Sequence, residues 1–234
     1  MPLSAPPEAA THPSVTSRAT VRELRQSNQL RALHTAVRDR NATTEDFVHH
    51  AGRIIRLLLE EALELLPYEN YSVTTPVGQT YHGLRSSVNV CAVPVIRAGE
   101  SMEAEFRALH PGVAIGKILI QRDVTTKLPH LYYSHLPDDI AERHVFLLEP
   151  MLATGGSALA AIDVLLQAGV PVTRIVLVNF LASPQGLDAL AHEHPDLHIV
   201  TSSIEERLDE NAFMIPGIGD FGDRYFGTVH QAPR

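Results

Sequence analysis

The chain reads as an α/β protein built on a parallel twisted sheet with helices on both faces, and three observations predict it. Several short runs, among them Val88–Ile96, Ala114–Arg122, His144–Leu148, Arg174–Ala182 and Leu197–Ile204, are rich in Val, Ile and Leu almost without alternation. Strands buried on both faces have that composition. Segments with helical periodicity separate most of them, the rhythm of strand–helix–strand crossovers. Finally, turn-forming residues such as Gly155-Gly156 and Ser183-Pro184 fall between the runs rather than inside them.

From the N-terminus, residues 1–20 are rich in Pro, Ala, Ser and Thr and read as a disordered tail. The remaining residues, 21–234, read as a single domain. Val21–Arg38 suits an amphipathic helix. A second begins at "NATTEDF", where Thr43 precedes Asp46 at capping-box spacing. Phe47, Ile54, Leu58 and Ala62 then share one face, and Pro67 ends the helix. "YSVTTPVGQTYHGL" from Tyr71 reads as a hairpin around a Pro-Val-Gly turn. After it come strand 88–96, helix Met102–Leu109, strand 114–122, strand 144–148, a helix after Gly156, strand 174–182, a helix near Gln185–His194 and strand 197–204.

The bulk properties narrow the function. A net charge of −8, from 19 basic and 27 acidic residues, argues against a broad nucleic-acid surface. Cys91 is the one cysteine and lies inside an apolar strand, so it reads as a buried, inert thiol in a reducing compartment. No apolar stretch approaches the roughly 20 residues of a membrane span. The N-terminus lacks a signal-peptide core, and a cytoplasmic location is expected. The thirteen histidines are scattered rather than clustered as ligands.

In sheets of this kind ligands bind beyond the carboxyl ends of the strands. Arg97, Arg122 and the loop Glu149–Ser157 each directly follow a strand, so this rule makes them neighbours. The stretch Thr154–Ser157 brings four backbone N–H groups, two of them on glycines, to the start of a helix. Glycine permits positive φ and close approach, and a helix N-terminus attracts anions, so a phosphate monoester suits the loop. By itself the stretch also reads as a plain connection whose glycines serve geometry alone. It lacks the lysine of a P-loop and the Gly-x-Ser-x-Gly elbow of a serine nucleophile. Glu149 is placed to accept hydrogen bonds from vicinal sugar hydroxyls; taken alone, it reads rather as an exposed carboxylate at a strand end.

"LLEPMLATGGSA" (147–158) resembles the 5-phosphoribosyl 1-diphosphate (PRPP) loop of uracil phosphoribosyltransferases. "VIRAGESM" (95–102), "KILIQRD" (117–123) and "PGIGDFGDRYFG" (216–227) resemble the same family's other signatures, in the same order. The resemblance runs from about Gln29 to Gly227 and is nearest to the eukaryotic branch. It implies the type I phosphoribosyltransferase fold and transfer of the 5-phosphoribosyl group of PRPP to uracil N1, giving UMP and pyrophosphate. It further implies that Glu149, Pro150, Met151, Leu152, Ala153, Thr154, Gly155, Gly156 and Ser157 bind PRPP. Among them Ala153–Ser157 hold the 5-phosphate and Glu149 the ribose hydroxyls. Arg97 and Arg122 then face the pyrophosphate, and Asp220 lies near PRPP and its Mg²⁺. Met214, Gly219, Asp220 and Phe221 contact uracil.

The same resemblance implies homodimers or homotetramers, GTP as an activator, and a flexible arm over Thr125–Pro137; Tyr132 and Tyr133 read equally as strand residues. Two positions depart from the family pattern. Glu149 replaces its usual aspartate, and Phe213 its usual tyrosine. The alternative reading is a catalytically degenerate relative that binds PRPP or a nucleotide and regulates a partner. Retention of Arg97, Arg122, Asp220 and Arg224 speaks against it.

Overall fold

The computed structural model describes residues 20–122 and 129–228. The tail expected over residues 1–20 lies outside the described residues apart from Thr20, as do residues 125–128 of the expected arm. Thr20–Glu23 forms strand β1, and helix α1 spans Asn28–Arg38. The helix expected from Val21 therefore starts seven residues late. Val21–Glu23 instead pairs in parallel with the edge of a later strand, whose unpaired backbone groups outweigh local helical preference. Ser27 caps α1 by accepting a hydrogen bond from the Leu30 amide.

Helix α2 (Thr44–Leu63) begins as the sequence predicts. The Thr43 hydroxyl accepts from the Asp46 amide at 3.1 Å and donates to the Asp46 carboxylate at 2.8 Å. Phe47, Ile54, Leu58 and Ala62 are all fully buried. Strands β2 (Tyr68–Thr74) and β3 (Thr80–Ser86) make the expected hairpin, exposed along most of its length. Then follow β4 (Val90–Ile96), α3 (Glu100–Leu109), β5 (Ala114–Ile115) and β6 (Lys117–Arg122). Gly116 divides the single strand expected over 114–122, its amide still bonded to the Ala92 carbonyl.

Pro129–His135, expected as part of a flexible arm, is strand β7, antiparallel to β6. The remaining elements are β8 (His144–Leu148), β9 (Met151–Leu152), α4 (Gly156–Gln167), β10 (Ile175–Ala182), α5 (Pro184–Glu193), β11 (His198–Ile204), β12 (Arg207–Leu208), β13 (Met214–Ile215) and α6 (Phe221–Phe226).

The central sheet runs β1-β11-β10-β8-β4-β6-β7 and is parallel throughout except for β7 at its edge. Alternate residues of the buried strands feed opposite faces. Ala92, Phe146, Val178 and Val200 pack under α1, α2 and α3 with Leu30, Phe47, Ile54 and Phe106. Cys91, Val93, Val145, Leu147 and Leu177 pack under α4 and α5 with Ile162, Leu165, Leu187 and Leu190. Cys91 is a buried free thiol, and burial pushes its pKa up to about 11. Because β4, β6, β8, β10 and β11 run the same way, their carboxyl ends share one edge of the sheet. No helix among the described residues is long and apolar enough to cross a membrane.

Candidate active site

The loop after β8 is built by its neighbours as much as by its own residues. Glu149 leaves the strand with its amide bonded to the Val178 carbonyl. Its side chain is 8% exposed. Burial raises the pKa to about 8, partly offset by a hydrogen bond from the Met151 backbone. The expectation of an exposed strand-end carboxylate thus gives way to a buried one that keeps its proton near neutrality. A protonated carboxyl both donates and accepts, which suits a pair of hydroxyls.

The chain behind Glu149 is fixed by buried neutral groups on β10 and β11. The Asn179 side-chain amide donates to the Glu149 and Pro150 carbonyls, both at 3.0 Å, and its own oxygen accepts from the Thr201 hydroxyl at 2.8 Å. Ser183 donates through its hydroxyl to the Ala153 carbonyl at 2.5 Å and accepts from the Gly186 amide. Gly155 has φ +85°, and Gly156 opens α4, whose first turn holds no acidic side chain. Glycine is also required outside the loop. A Cβ on Gly186 would lie 2.6 Å from the Ala153 carbonyl oxygen.

The loop expected to cradle a phosphate is a left-handed turn into a helix of 12 residues, with Ser157 in the first turn. The helix dipole and its unpaired amides favour a dianion there. β7 starts beside it, since a Cβ on Gly156 would sit 4.0 Å from the Pro129 ring. The backbone of Arg122 ends β6 opposite Pro129, so the residue belongs to this edge.

The glycine-rich C-terminal stretch lies along the same edge. Met214 is buried in β13, the bond between Ile215 and Pro216 is cis, and Gly217 and Gly219 have φ of +68° and +75°. Asp220 caps α6 by accepting from the Asp223 amide at 2.8 Å, and its side chain is exposed. Phe221 is committed to the core, its ring meeting Phe47 at 5.4 Å and Phe180 at 5.2 Å between centroids. Only its backbone remains for a ligand. Phe213 is 58% exposed at the rim.

Arg97 follows β4 through a cis peptide and reaches this stretch rather than open solvent. It donates to Asp223 at 2.6 Å and to the Thr228 hydroxyl at 2.9 Å. Thus Arg97 and Asp220, expected to act together, flank the same short helix. Arg224 binds the Val37, Asp39 and Ile218 carbonyls and lies 4.3 Å from the Phe47 ring. A cavity of about 580 Å³ separates the start of α2 from this stretch, lined by Arg38, Arg40, Thr43, Gly219, Asp220 and Arg224 among others. The residues of the phosphate loop do not line it.

Sequence reasoning missed Asn179, Ser183, Gly186, Thr201, Arg38 and Glu205. Asn179 carried a signal, a single amide in an otherwise apolar strand. Glu205 directly follows a strand, as Arg97 and Glu149 do. Among the described residues no group of three or more His, Cys, Asp or Glu gathers to hold a metal.

Residues 24–228 match the family model for uracil phosphoribosyltransferase. A uracil phosphoribosyltransferase of Dictyostelium discoideum is 48% identical over 205 residues, covering 88% of this chain and 95% of its own length. One from Saccharomyces cerevisiae is 48% identical over 203 residues, covering 87% and 94%. The solved structure of an Aquifex aeolicus protein superposes with a TM-score of 0.79 at 27% identity, covering 90% of this chain and all of that one.

Proposed function

The chain belongs to the uracil phosphoribosyltransferase family, and from that premise we propose how its residues share the reaction. The enzyme transfers the 5-phosphoribosyl group of PRPP to uracil, giving UMP and pyrophosphate. The observation that carries the residue assignment is the pairing of a buried Glu149 with the left-handed Gly155 turn at the start of α4.

In this reading the amides of Ala153–Ser157 hold the 5-phosphate against the α4 dipole. Glu149 takes the ribose hydroxyls, and Pro150–Leu152 set the reach between them. Arg97 and Arg122 hold the pyrophosphate, which a guanidinium fork does with two oxygens while keeping its charge. Arg97 exchanges Asp223 for the phosphate when PRPP arrives. Departure of pyrophosphate leaves an oxocarbenium-like ribosyl centre, so positioning and stabilisation of the departing anion supply the catalysis. Main-chain groups of Met214, Gly219 and Phe221 read the uracil edge, and Asp220 stands between the base and PRPP.

Mg²⁺ fits this donor set. Asp220 presents an exposed carboxylate oxygen beside the site, and hard oxygen ligands suit the ion, completed by the substrate's own oxygens and water. When bound, the ion screens the charge of the pyrophosphate.

Homodimers or homotetramers in the cytoplasm, with GTP as activator, complete the proposal. The exposed hairpin supports assembly. A two-stranded hairpin is marginal by itself, yet this one shows Tyr71, Val77, Tyr81 and Leu84 to solvent. The test is UMP formation from PRPP and Mg²⁺ with uracil, beside cytosine, hypoxanthine and orotate. Uracil-specific turnover that disappears in Arg122→Ala is the expected result. Measurable PRPP binding with no turnover of any base would replace this reading with a regulatory one.

A further inference from the structure

The base loop is gripped at one glycine by a partly buried ion pair that the chemistry itself does not use. Glu205 follows β11 and is 1% exposed. Its amide donates to the Ala182 carbonyl at the end of β10, which fixes it at the carboxyl edge of the sheet. Arg38 is the last residue of α1, and its guanidinium meets the Glu205 carboxylate in a fork, at 2.5 and 3.0 Å. Both side chains then close on Gly217. Glu205 accepts from the Gly217 amide at 2.6 Å, and Arg38 donates to the Gly217 carbonyl at 3.1 Å.

Stability alone is a poor account of this arrangement. A well-packed apolar pair commonly serves a core as well as a buried ion pair does. What an apolar pair cannot do is hold both the N–H and the C=O of one glycine at φ +68°. That glycine lies midway between Met214 and Phe221, whose main-chain groups are assigned to the base.

We propose that Arg38 and Glu205 are positioning residues for the pyrimidine, clamping Gly217 from both of its flanking peptides so that the loop's main-chain donors and acceptors face the base. The proposal rests on the reading of residues 214–221 as the base site. It predicts an asymmetric effect. Loosening the clamp weakens recognition of uracil and leaves the phosphate loop, held separately by Asn179 and Ser183, as it was.

The experiment compares wild type, Glu205→Gln and the double variant Arg38→Met/Glu205→Leu. KM is measured separately for uracil and PRPP, together with Tm and hydrogen exchange at the Gly217 amide. The double variant leaves no lone buried charge, so it should still fold, with Tm lowered by the two Gly217 groups it unpairs, while its KM for uracil rises about 30-fold, the scale of a lost charge-assisted hydrogen bond. KM for PRPP should stay within about twofold. Glu205→Gln keeps an acceptor for Gly217 and should fall between, with faster Gly217 exchange. Unchanged uracil KM in both variants would overturn the proposal, as would a rise in both KM values that merely follows a fall in Tm. A wild-type protein that fails to turn over uracil would sink the base-site reading instead. Gly217 exchange then still decides the clamp, because unaltered protection in Glu205→Gln would refute it.

Discussion

The phosphate loop and the base loop lie along one edge of the same sheet, yet they are held by different physics. Residues 149–157 are anchored by backbone register and by neutral buried groups, Asn179 of β10, Thr201 of β11 and Ser183 at the start of α5. Residues 214–227 carry little regular structure. They are anchored by charged side chains from distant parts of the chain, with Arg38, Arg97 and Glu205 joined by Arg224 from within the segment. A tightly charged ligand needs a rigid nest whose electrostatics come from the peptide itself. A small neutral base needs exposed main-chain groups, and an irregular loop can offer them only if something else holds it still.

Substitutions at the anchors should separate the two regions. The largest effect is expected at Arg224, where Arg224→Met leaves three backbone carbonyls without their shared donor. A stability loss of about 3 kcal/mol by urea denaturation is expected, and a smaller loss with normal uracil binding would break the contrast. Gly186→Ala should act on the other loop alone. Its Cβ displaces the Ala153 carbonyl, and a shift of that order costs roughly 10²-fold in kcat/KM for PRPP. Steady-state kinetics should show it with the uracil KM little changed.

Asn179→Ala removes the side-chain donor to the Glu149 carbonyl, while the Pro150 carbonyl keeps the Phe180 and Leu181 amides, and should cost about 1–3 kcal/mol of stability, read from denaturant midpoints. Glu149 sharpens the comparison through pH. Its pKa is raised to about 8 in the folded protein against 4.5 ordinarily, so the native state binds the extra proton between those values. Stability should therefore fall as pH rises from about 4.5 to 8 and level off above. Glu149→Gln should flatten that decline in urea midpoints taken across the window. The smallest effect belongs to Asp223→Asn. The Arg97–Asp223 pair is 46% and 40% exposed, so thermal melts should move by less than about 1 kcal/mol equivalent.

Legibility in the sequence follows the same division. The phosphate loop could be read directly because its logic is local, a strand end, an acid and two glycines opening a helix. The strands could be read because burial on both faces leaves a continuous apolar imprint. Val21–Glu23 misled because a strand of three or four residues has no period of its own, and the edge of β11 decides its conformation. The resemblance implies an arm that includes Pro129–His135, and no apolar period in the segment opposes that reading, because an exposed antiparallel edge strand needs no apolar face.

The sequence by itself therefore determined the sheet, its helical layers, the glycine turn proposed for the phosphate and, through four ordered motifs, the family. Only the tertiary structure decided that Glu149 is buried with its pKa pushed up to about 8, that Arg97 rests on Asp223, and that Arg38 and Glu205 meet at Gly217. The reason is range. Backbone geometry and hydrophobic periodicity act over a few residues and leave their mark in composition. Burial of a charge and the meeting of ions 167 positions apart arise only when the sheet brings its strand ends to one edge.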